Sequence, residues 1–167
     1  MAHLNRNRSK LLLGCGSAAL AMGLMSPHPA SAQAIQATET VVSGSAGRIS
    51  TGSNSEVILI GTPTAVIDWT PDEDGQGNAL DFLPAGNDVT FQNDGDGLQG
   101  DFAVLNRILP SANGSITVID GTVIGQIIDG NSNVLGPGGT IAFYSPTGLF
   151  IGGNATFDVG NLILTTL

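Results

Sequence analysis

The chain lacks, over most of its length, the side chains that enzymes commonly use as nucleophiles and bases. Cys15, His3, His28 and Lys10 are its only cysteine, histidines and lysine, and all lie within positions 1–32 of the sequence. Beyond them no Ser–His pair, thiolate or Schiff-base lysine can form. A pair of carboxylates could still hydrolyse a glycoside, but most acids lie beside glycine in turns, where Asp is favoured for its backbone bonds. We therefore predict no enzymatic activity and no cofactor.

Positive charge is almost as scarce. After residue 32 two arginines, Arg48 and Arg107, stand against fourteen acidic residues, which gives a formal net charge of −12. Such a surface repels phosphate backbones and anionic lipid headgroups. We therefore expect neither nucleic acid nor an acidic membrane surface as a partner.

The segment 1–32 has the composition of a signal peptide. Three cations near its beginning precede an apolar run over 11–25, and Ala30-Ser31-Ala32 places small residues at the cleavage positions. The run is too short for a comfortable membrane span. We predict a signal peptide over 1–32 that is cleaved after Ala32 on the general export route. The exported domain, which has no cysteine, must then hold together without a disulfide.

The rest of the chain has a β composition rich in turns. Val, Ile, Thr, Asn and Gly dominate, and no stretch shows helical periodicity with caps. Segment 33–55 contains few large apolar groups, and we predict a loosely ordered entry or cap segment with one short strand around 40–42. From Glu56 short apolar stretches alternate with Gly, Pro and Asn turns. The predicted strands are 57–60, 65–69, 79–83, 89–92, 102–109, 116–119, 122–128, 140–144, 149–151, 155–159 and 162–166.

Two all-β architectures fit these short strands. One is a sandwich or barrel that closes on itself, and the other is a solenoid in which each coil stacks on the last. Composition favours neither. The stretch Leu162–Leu167 is apolar and has no polar residue after it. It would be the last paired strand of a sandwich, or a coil edge ready for the next coil of a solenoid, and we favour the solenoid.

Acidic loops raise the question of calcium. Asp72-Glu73-Asp74-Gly75-Gln76-Gly77 and Gln92-Asn93-Asp94-Gly95-Asp96-Gly97 match the beginning of an EF-hand loop. Leu83 and Ala103 occupy the twelfth positions, where a bidentate Glu is needed. We therefore predict no metal site. A self-contained extracellular β-domain that binds carbohydrate or calcium is the alternative function.

Four consecutive stretches resemble a known family. Tyr144–Leu149, Ile151–Ala155, Phe157–Gly160 and Leu162–Thr166 resemble, in that order, the motifs of the secretion domain of two-partner secretion exoproteins, the filamentous-haemagglutinin-type adhesins. Val104–Ile108 resembles a strand that precedes a turn in the same family. In the family's Asn-Pro-Asn-Gly-Ile turn, this chain has Ser145, Thr147 and Leu149 in place of the two asparagines and the isoleucine.

This resemblance implies a fold, a destination and a partner. The implied fold is a right-handed parallel β-helix, a single-stranded solenoid, with short capping or extra β elements. Segment 56–167 would be the β-helical secretion domain and would continue beyond the given chain. The implied location is the cell surface or medium of a Gram-negative bacterium, reached through the periplasm and a partner transporter in the outer membrane. The adhesin or effector activity, and any host or cell-surface ligand, would belong to downstream regions.

The same resemblance nominates the site residues for recognition by the transporter. They are Asn106 and Arg107 on the upstream strand and the turn residues Ser145, Pro146, Thr147, Gly148 and Leu149. In the turn, Pro146 fits a corner that needs no N–H, and Gly148 is expected to supply a positive φ. For Arg107 the alternative is an outward-facing residue paired with a nearby Asp.

If each coil of the implied solenoid has about twenty residues, at the lower end of repeat periods, the chain after residue 32 would form about six coils.

Overall fold

Thirteen short strands and no helix make up the part of the chain that the computed structural model describes, residues 33–166. The predicted signal peptide and its cleavage residues, Ala30 and Ala32, lie outside this range. No helix that could cross a membrane is found in it. In chain order the strands are β1 (Ala37–Ser43), β2 (Ala46–Ser50), β3 (Ser55–Ile60), β4 (Thr64–Pro71), β5 (Asp88–Asn93), β6 (Ala103–Ile108), β7 (Thr117–Ile119), β8 (Thr122–Ile128), β9 (Val134–Pro137), β10 (Thr140–Tyr144), β11 (Leu149–Ile151), β12 (Thr156–Asp158) and β13 (Asn161–Thr165).

The strands form three sheets that consist largely of parallel pairs. The first sheet has the order β1-β4-β6-β10-β13, and the second has the order β12-β8-β5-β3-β2 with β9 beside β8. The third pairs β7 with β11. The antiparallel pairs are β1 with β4, β2 with β3, and β8 with β9. The all-β expectation is therefore confirmed.

Parallel partners in the second sheet lie at nearly equal steps along the chain. Ser55 is opposite Asp88, Asp88 is opposite Thr122, and Thr122 is opposite Thr156. These steps are much longer than the expected coil of about twenty residues, so that expectation is wrong for them. The reason is that loops such as 72–87 and 129–133 lengthen the path between strands. In the first sheet the last step, from Thr140 of β10 to Asn161 of β13, does have the expected length.

One core lies between the sheets and follows the period-two pattern of the strands. In β10 Ile141 and Phe143 are buried while their neighbours are half-exposed, as the alternation predicts. Edge-to-face aromatic contacts run through this core from Trp69 to Phe82, Phe143 and Phe91, with ring centroids 5.7, 6.1 and 6.3 Å apart. Each such pair stabilises the fold by about 0.5–1.5 kcal/mol beyond its buried area.

The entry segment differs from the prediction. Segment 33–55 carries two strands rather than one, and Ala34, Ile35 and Ala37 are fully buried. The apolar pattern of β2 is weak, but its backbone pairs with β3 along its whole length. β2 is therefore a strand because it pairs with β3, and not because its own residues prefer the strand conformation.

Two other local predictions need correction. Segment 79–83 forms no strand, and its ladder pairing is limited to isolated bridges at Ala79 and Leu83. Strand β9, whose residues are mostly exposed, was not predicted at all. It forms because the turn over 129–133 brings the chain back onto β8.

Candidate functional site

The two segments that the sequence nominates for recognition lie on neighbouring strands. Asn106 and Arg107 of β6 are opposite Phe143 and Tyr144 of β10, and the turn Ser145–Gly148 follows directly. The side chains nevertheless separate to opposite faces. Asn106 faces the core and Arg107 faces outward, as the period of two along β6 requires.

Ser145 is a buried anchor of the turn. Its hydroxyl lies 2.9 Å from Oγ1 of Thr117 and 3.1 Å from Oγ1 of Thr147. Its backbone N–H donates to the carbonyl of Thr165, and its carbonyl accepts from the N–H of Gly148. The hydroxyls thus perform the local hydrogen bonding that Asn side chains commonly provide in turns. One step of the parallel stack is called a strand level, so that β7 belongs to the level before the turn and β13 to the level after it. The turn is hydrogen-bonded to both levels.

The rest of the turn meets the geometric expectation and partly reaches solvent. Gly148 has a φ of +106°, so the predicted positive φ is confirmed. Pro146 is exposed, and Thr147 and Leu149 are half-buried. A partner that met the folded turn could therefore contact these side chains directly. Whether they act in recognition stays a prediction.

Asn106 is a core hydrogen-bonding residue. Its Oδ1 accepts a 2.9 Å bond from Nε1 of Trp69, and its Nδ2 donates to the carbonyl of Ala142 at 3.2 Å. The side chain is fully buried. It links β4, β6 and β10, so a transporter could contact this side chain only before the domain folds.

Arg107 is paired on the outer face. Its Nε and Nη2 donate to the two carboxylate oxygens of Asp68 at 2.6 and 2.8 Å. The hydrogen bond to Asp68 raises the pKa of the Arg107 guanidinium. The geometry matches the alternative of an outward arginine paired with a nearby Asp, and the side chain remains 38% exposed.

The acidic loops use their carboxylates to hold turns. Oδ1 of Asp74 accepts from the N–H groups of Gln76 and Asn78, and Asp129 holds the 129–133 turn in the same way. These bonds, led by those from the amide side chains of Asn78 and Asn133, lower the pKa of both carboxyls. Among residues 33–166 no group of three potential metal-binding side chains occurs.

Asp120 extends this role from one strand level to the next. Its two carboxylate oxygens accept from the backbone and side-chain N–H groups of Asn154, at 2.8 and 3.0 Å. These bonds, led by the one from the Asn154 side chain, lower the pKa of the Asp120 carboxyl. A Cβ on Gly152 would collide with the same carboxylate, so this corner needs a glycine.

A charged cluster near the beginning of the described chain was missed by sequence reasoning. Arg48 of β2 donates to both oxygens of Glu56, to Oε2 of Glu39, and to the carbonyls of Ile35 and Ala37. Its guanidinium also lies 5.5 Å from the ring centroid of Trp69. Glu56 is buried and the cluster joins the two sheets. One feature of the sequence pointed to this cluster. Arg48 is one of two cations after residue 32, and an arginine that a strand carries into a folded domain needs a partner.

At the other end of the sheets the last strands leave core-facing side chains uncovered. Ile151, Leu162 and Leu164 are 38, 37 and 39% exposed, although their register partners on the preceding level are almost fully buried. Within the described part of the chain, β13 pairs with β10 and with no other strand. The open level therefore presents apolar side chains and a free hydrogen-bonding edge together.

No family model matches the chain, and no curated protein matches it at a significant level. A proposal for its function therefore depends on the sequence motifs and on the geometry of the described strands.

Proposed function

We propose that this chain is the N-terminal secretion domain of a large two-partner secretion exoprotein, and that it is not an enzyme. An outer-membrane transporter would recognise it during export, and its last strand level would then start the folding of the following segment. The observation that carries the proposal is the parallel stacking of β3, β5, β8 and β12, whose register partners lie at nearly equal steps along the chain.

The proposed architecture is a right-handed parallel β-helix with antiparallel strands capping its first end. The register supports it, because three series of strands stack in parallel in the same order: β3-β5-β8-β12, β4-β6-β10-β13, and β7-β11. The position of β1 and β2 also supports it. Each is antiparallel to its neighbour at the outer edge of its sheet, where a stack of parallel coils needs a cap.

Growth from the open level follows from the same geometry. A following strand could pair with the free edge of β13 and bury Leu162 and Leu164. Pairing of this kind relies on backbone groups, so the added strand requires an apolar alternation rather than a particular sequence. Burial of each leucine would contribute about 1–2 kcal/mol to the growing structure.

Recognition by the transporter is proposed to precede folding. Asn106 and Ser145 are buried in the folded domain, so their side chains are accessible to a partner only in an extended chain. We propose that periplasmic domains of the transporter bind the extended chain as an added strand, and that Arg107 and the turn Ser145–Leu149 contribute to this binding. The exoprotein would reach the cell surface or the medium and act there as an adhesin or another effector through downstream regions.

Export provides the direct test. The full chain would be produced in a Gram-negative host with and without its proposed outer-membrane transporter, and the medium would be assayed for the chain. We expect release only with the transporter, and an N-terminus at Gln33 after cleavage behind Ala32. Equal release without the transporter, or retention with it, would contradict the proposal.

A matched pair of variants tests the turn. Thr147→Ala alters the nominated turn, and Thr156→Ala removes an exposed threonine on β12 outside it. We expect Thr147→Ala to lower export several-fold while it lowers the free energy of unfolding by no more than about 1 kcal/mol, through loss of the bond to Ser145, and Thr156→Ala to export normally. If both variants export alike, the turn has no part in recognition.

A further inference from the structure

The first end of the sheets contains a half-open cavity between β1 and β2. The two strands are not paired with each other, because β1 pairs with β4 and β2 with β3. Their core-facing side chains form the walls of a cavity of about 230 Å³, and the first-level core forms its floor. The walls are Glu39, Val41, Ala46, Gly47 and Arg48, and the floor is Ile58, Ile67 and Trp69.

The size and lining of this cavity favour a single inserted side chain. Sites for drug-sized ligands usually have volumes of about 300–1,000 Å³, so the cavity is smaller than they are. Val41 faces the core side but remains 38% exposed. A large apolar side chain placed against Val41, Ala46 and Ile67 would remove that exposed apolar surface from water.

The charges at the cavity favour a cation beside this apolar group. Glu39 and Glu56 bring two carboxylates against the one guanidinium of Arg48. Glu56 is enclosed, whereas the side chain of Glu39 is 34% exposed and bonds Arg48 through Oε2. The surplus negative charge therefore lies at Glu39, on the same wall as Val41.

An extended polypeptide can satisfy both requirements together. Glu39 and Val41 are two positions apart on β1, and residues two apart on an added strand face the same side. Within the described range, β1 is the outermost strand of its sheet, so its far edge has free N–H and C=O groups. Cross-strand apolar and opposite-charge pairs each stabilise such pairing modestly, and the backbone bonds supply the rest.

We propose that the cavity between β1 and β2 binds an extended polypeptide segment along the free edge of β1. The segment places an apolar side chain against Val41 and a Lys or Arg, two positions away, against Glu39. This site belongs to the folded domain. It is independent of the transporter contact with the extended chain and of the open level at the other end.

Fluorescence of Trp69 reports on this cavity directly, since it is the one tryptophan of the sequence and lies on the cavity floor. The full chain would be titrated with the peptide acetyl-Thr-Lys-Thr-Leu-Thr-Lys-Thr-amide, which offers Leu and Lys at the required spacing in either strand direction. We expect a saturable fluorescence change. A peptide with both lysines replaced by glutamates should bind at least tenfold more weakly.

Two variants on β2 test whether the peptide binds in the cavity or elsewhere on the surface. Ala46→Leu fills the cavity from β2 and should abolish the titration. Ile49→Phe enlarges an exposed side chain of β2 that lies outside the cavity lining and alternates away from Ala46 and Arg48, and this variant should bind like the unmodified chain. Glu39→Gln tests the charge and should weaken binding about threefold. Absence of a saturable change, equal binding by the two β2 variants, or equal binding of the glutamate peptide would overturn the proposal.

Discussion

Both ends of the stacked sheets expose apolar side chains, but they differ in the direction of their end strands and in the charges beside those side chains. At the first end β1 and β2 reverse direction, and the Arg48 cluster connects both sheets across the core. At the last end Leu162 and Leu164 face the core side on a strand, β13, that carries no charged residue. At the first end the antiparallel strands and the buried ion pair cover the core of the first level, although the outer edge of β1 stays free. An end formed by parallel strands with uncovered apolar residues can accept another strand.

The largest expected effect is at the closed end. Arg48→Ala leaves Glu56 buried without its guanidinium and removes the bonds to two backbone carbonyls. We expect a loss of about 3–5 kcal/mol in the free energy of unfolding, because an uncompensated buried charge is costly. Urea unfolding followed by circular dichroism would measure it. Arg107→Ala is the control: it breaks a partly exposed pair on the outer face and should cost at most about 1 kcal/mol. Equal losses for the two arginines would show that the Arg48 cluster does not close this end.

Matched truncations compare a covered level with the open one. Ile141 and Leu162 are register partners on β10 and β13, but Ile141 is fully buried and Leu162 is 37% exposed. Ile141→Ala should lower the free energy of unfolding by about 2–5 kcal/mol, because it leaves a cavity in the core. Leu162→Ala should cost less than about 1 kcal/mol. The same urea assay distinguishes them, and similar costs would mean that the last level is as well packed as the one before it.

Acid should loosen the corner that connects the last two levels. In the folded chain the pKa of Asp120 is lowered from its ordinary 3.8 by its bonds from Asn154. Because the pKa of Asp120 is lower in the folded chain than in the unfolded chain, the ionised carboxylate stabilises the fold at pH values above the unfolded pKa. This stabilisation is lost as the pH falls below 3.8 towards the folded pKa. Hydrogen exchange at the Asn154 amide should therefore show less protection at pH 3 than at pH 5, after correction for the intrinsic rate. In Asp120→Asn that difference should disappear. A wild-type difference that persists in the variant would assign the effect to other groups.

The smallest effect on stability is expected on the outer face of the open strand. Ile163 is 49% exposed and lies on an edge without charges, which favours pairing with another chain. Ile163→Lys should change the free energy of unfolding by no more than about 0.5 kcal/mol while reducing self-association. Sedimentation velocity over a range of concentrations would measure the association. Val42→Lys, at an exposed position of β1, is the control for added charge at the closed end and should have less effect. Equal reduction by the two variants would mean that the last edge associates no more readily than the first.

Sequence reasoning identified most strands and the local chemistry of the candidate turn. β10 and β11 were predicted at their observed bounds, and the positive φ of Gly148 followed from its place after Pro146. It missed β2, β9 and the Arg48 cluster. The missed elements depend on partners far along the chain, such as β3 for β2, and a weakly apolar segment carries no local sign of such a partner.

The sequence by itself determined where apolar and polar side chains alternate, which chemistry is missing after residue 32, and where glycine and proline turn the chain. These are local properties, because strand period and turn conformation depend on a few adjacent residues. Only the tertiary structure decided that distant strands pair in parallel at nearly equal steps in the second sheet, that Asn106 and Ser145 face the core, and that one end is closed while the other is open. Those outcomes depend on which distant segments meet, and loop lengths and burial of the whole core select among the possible pairings.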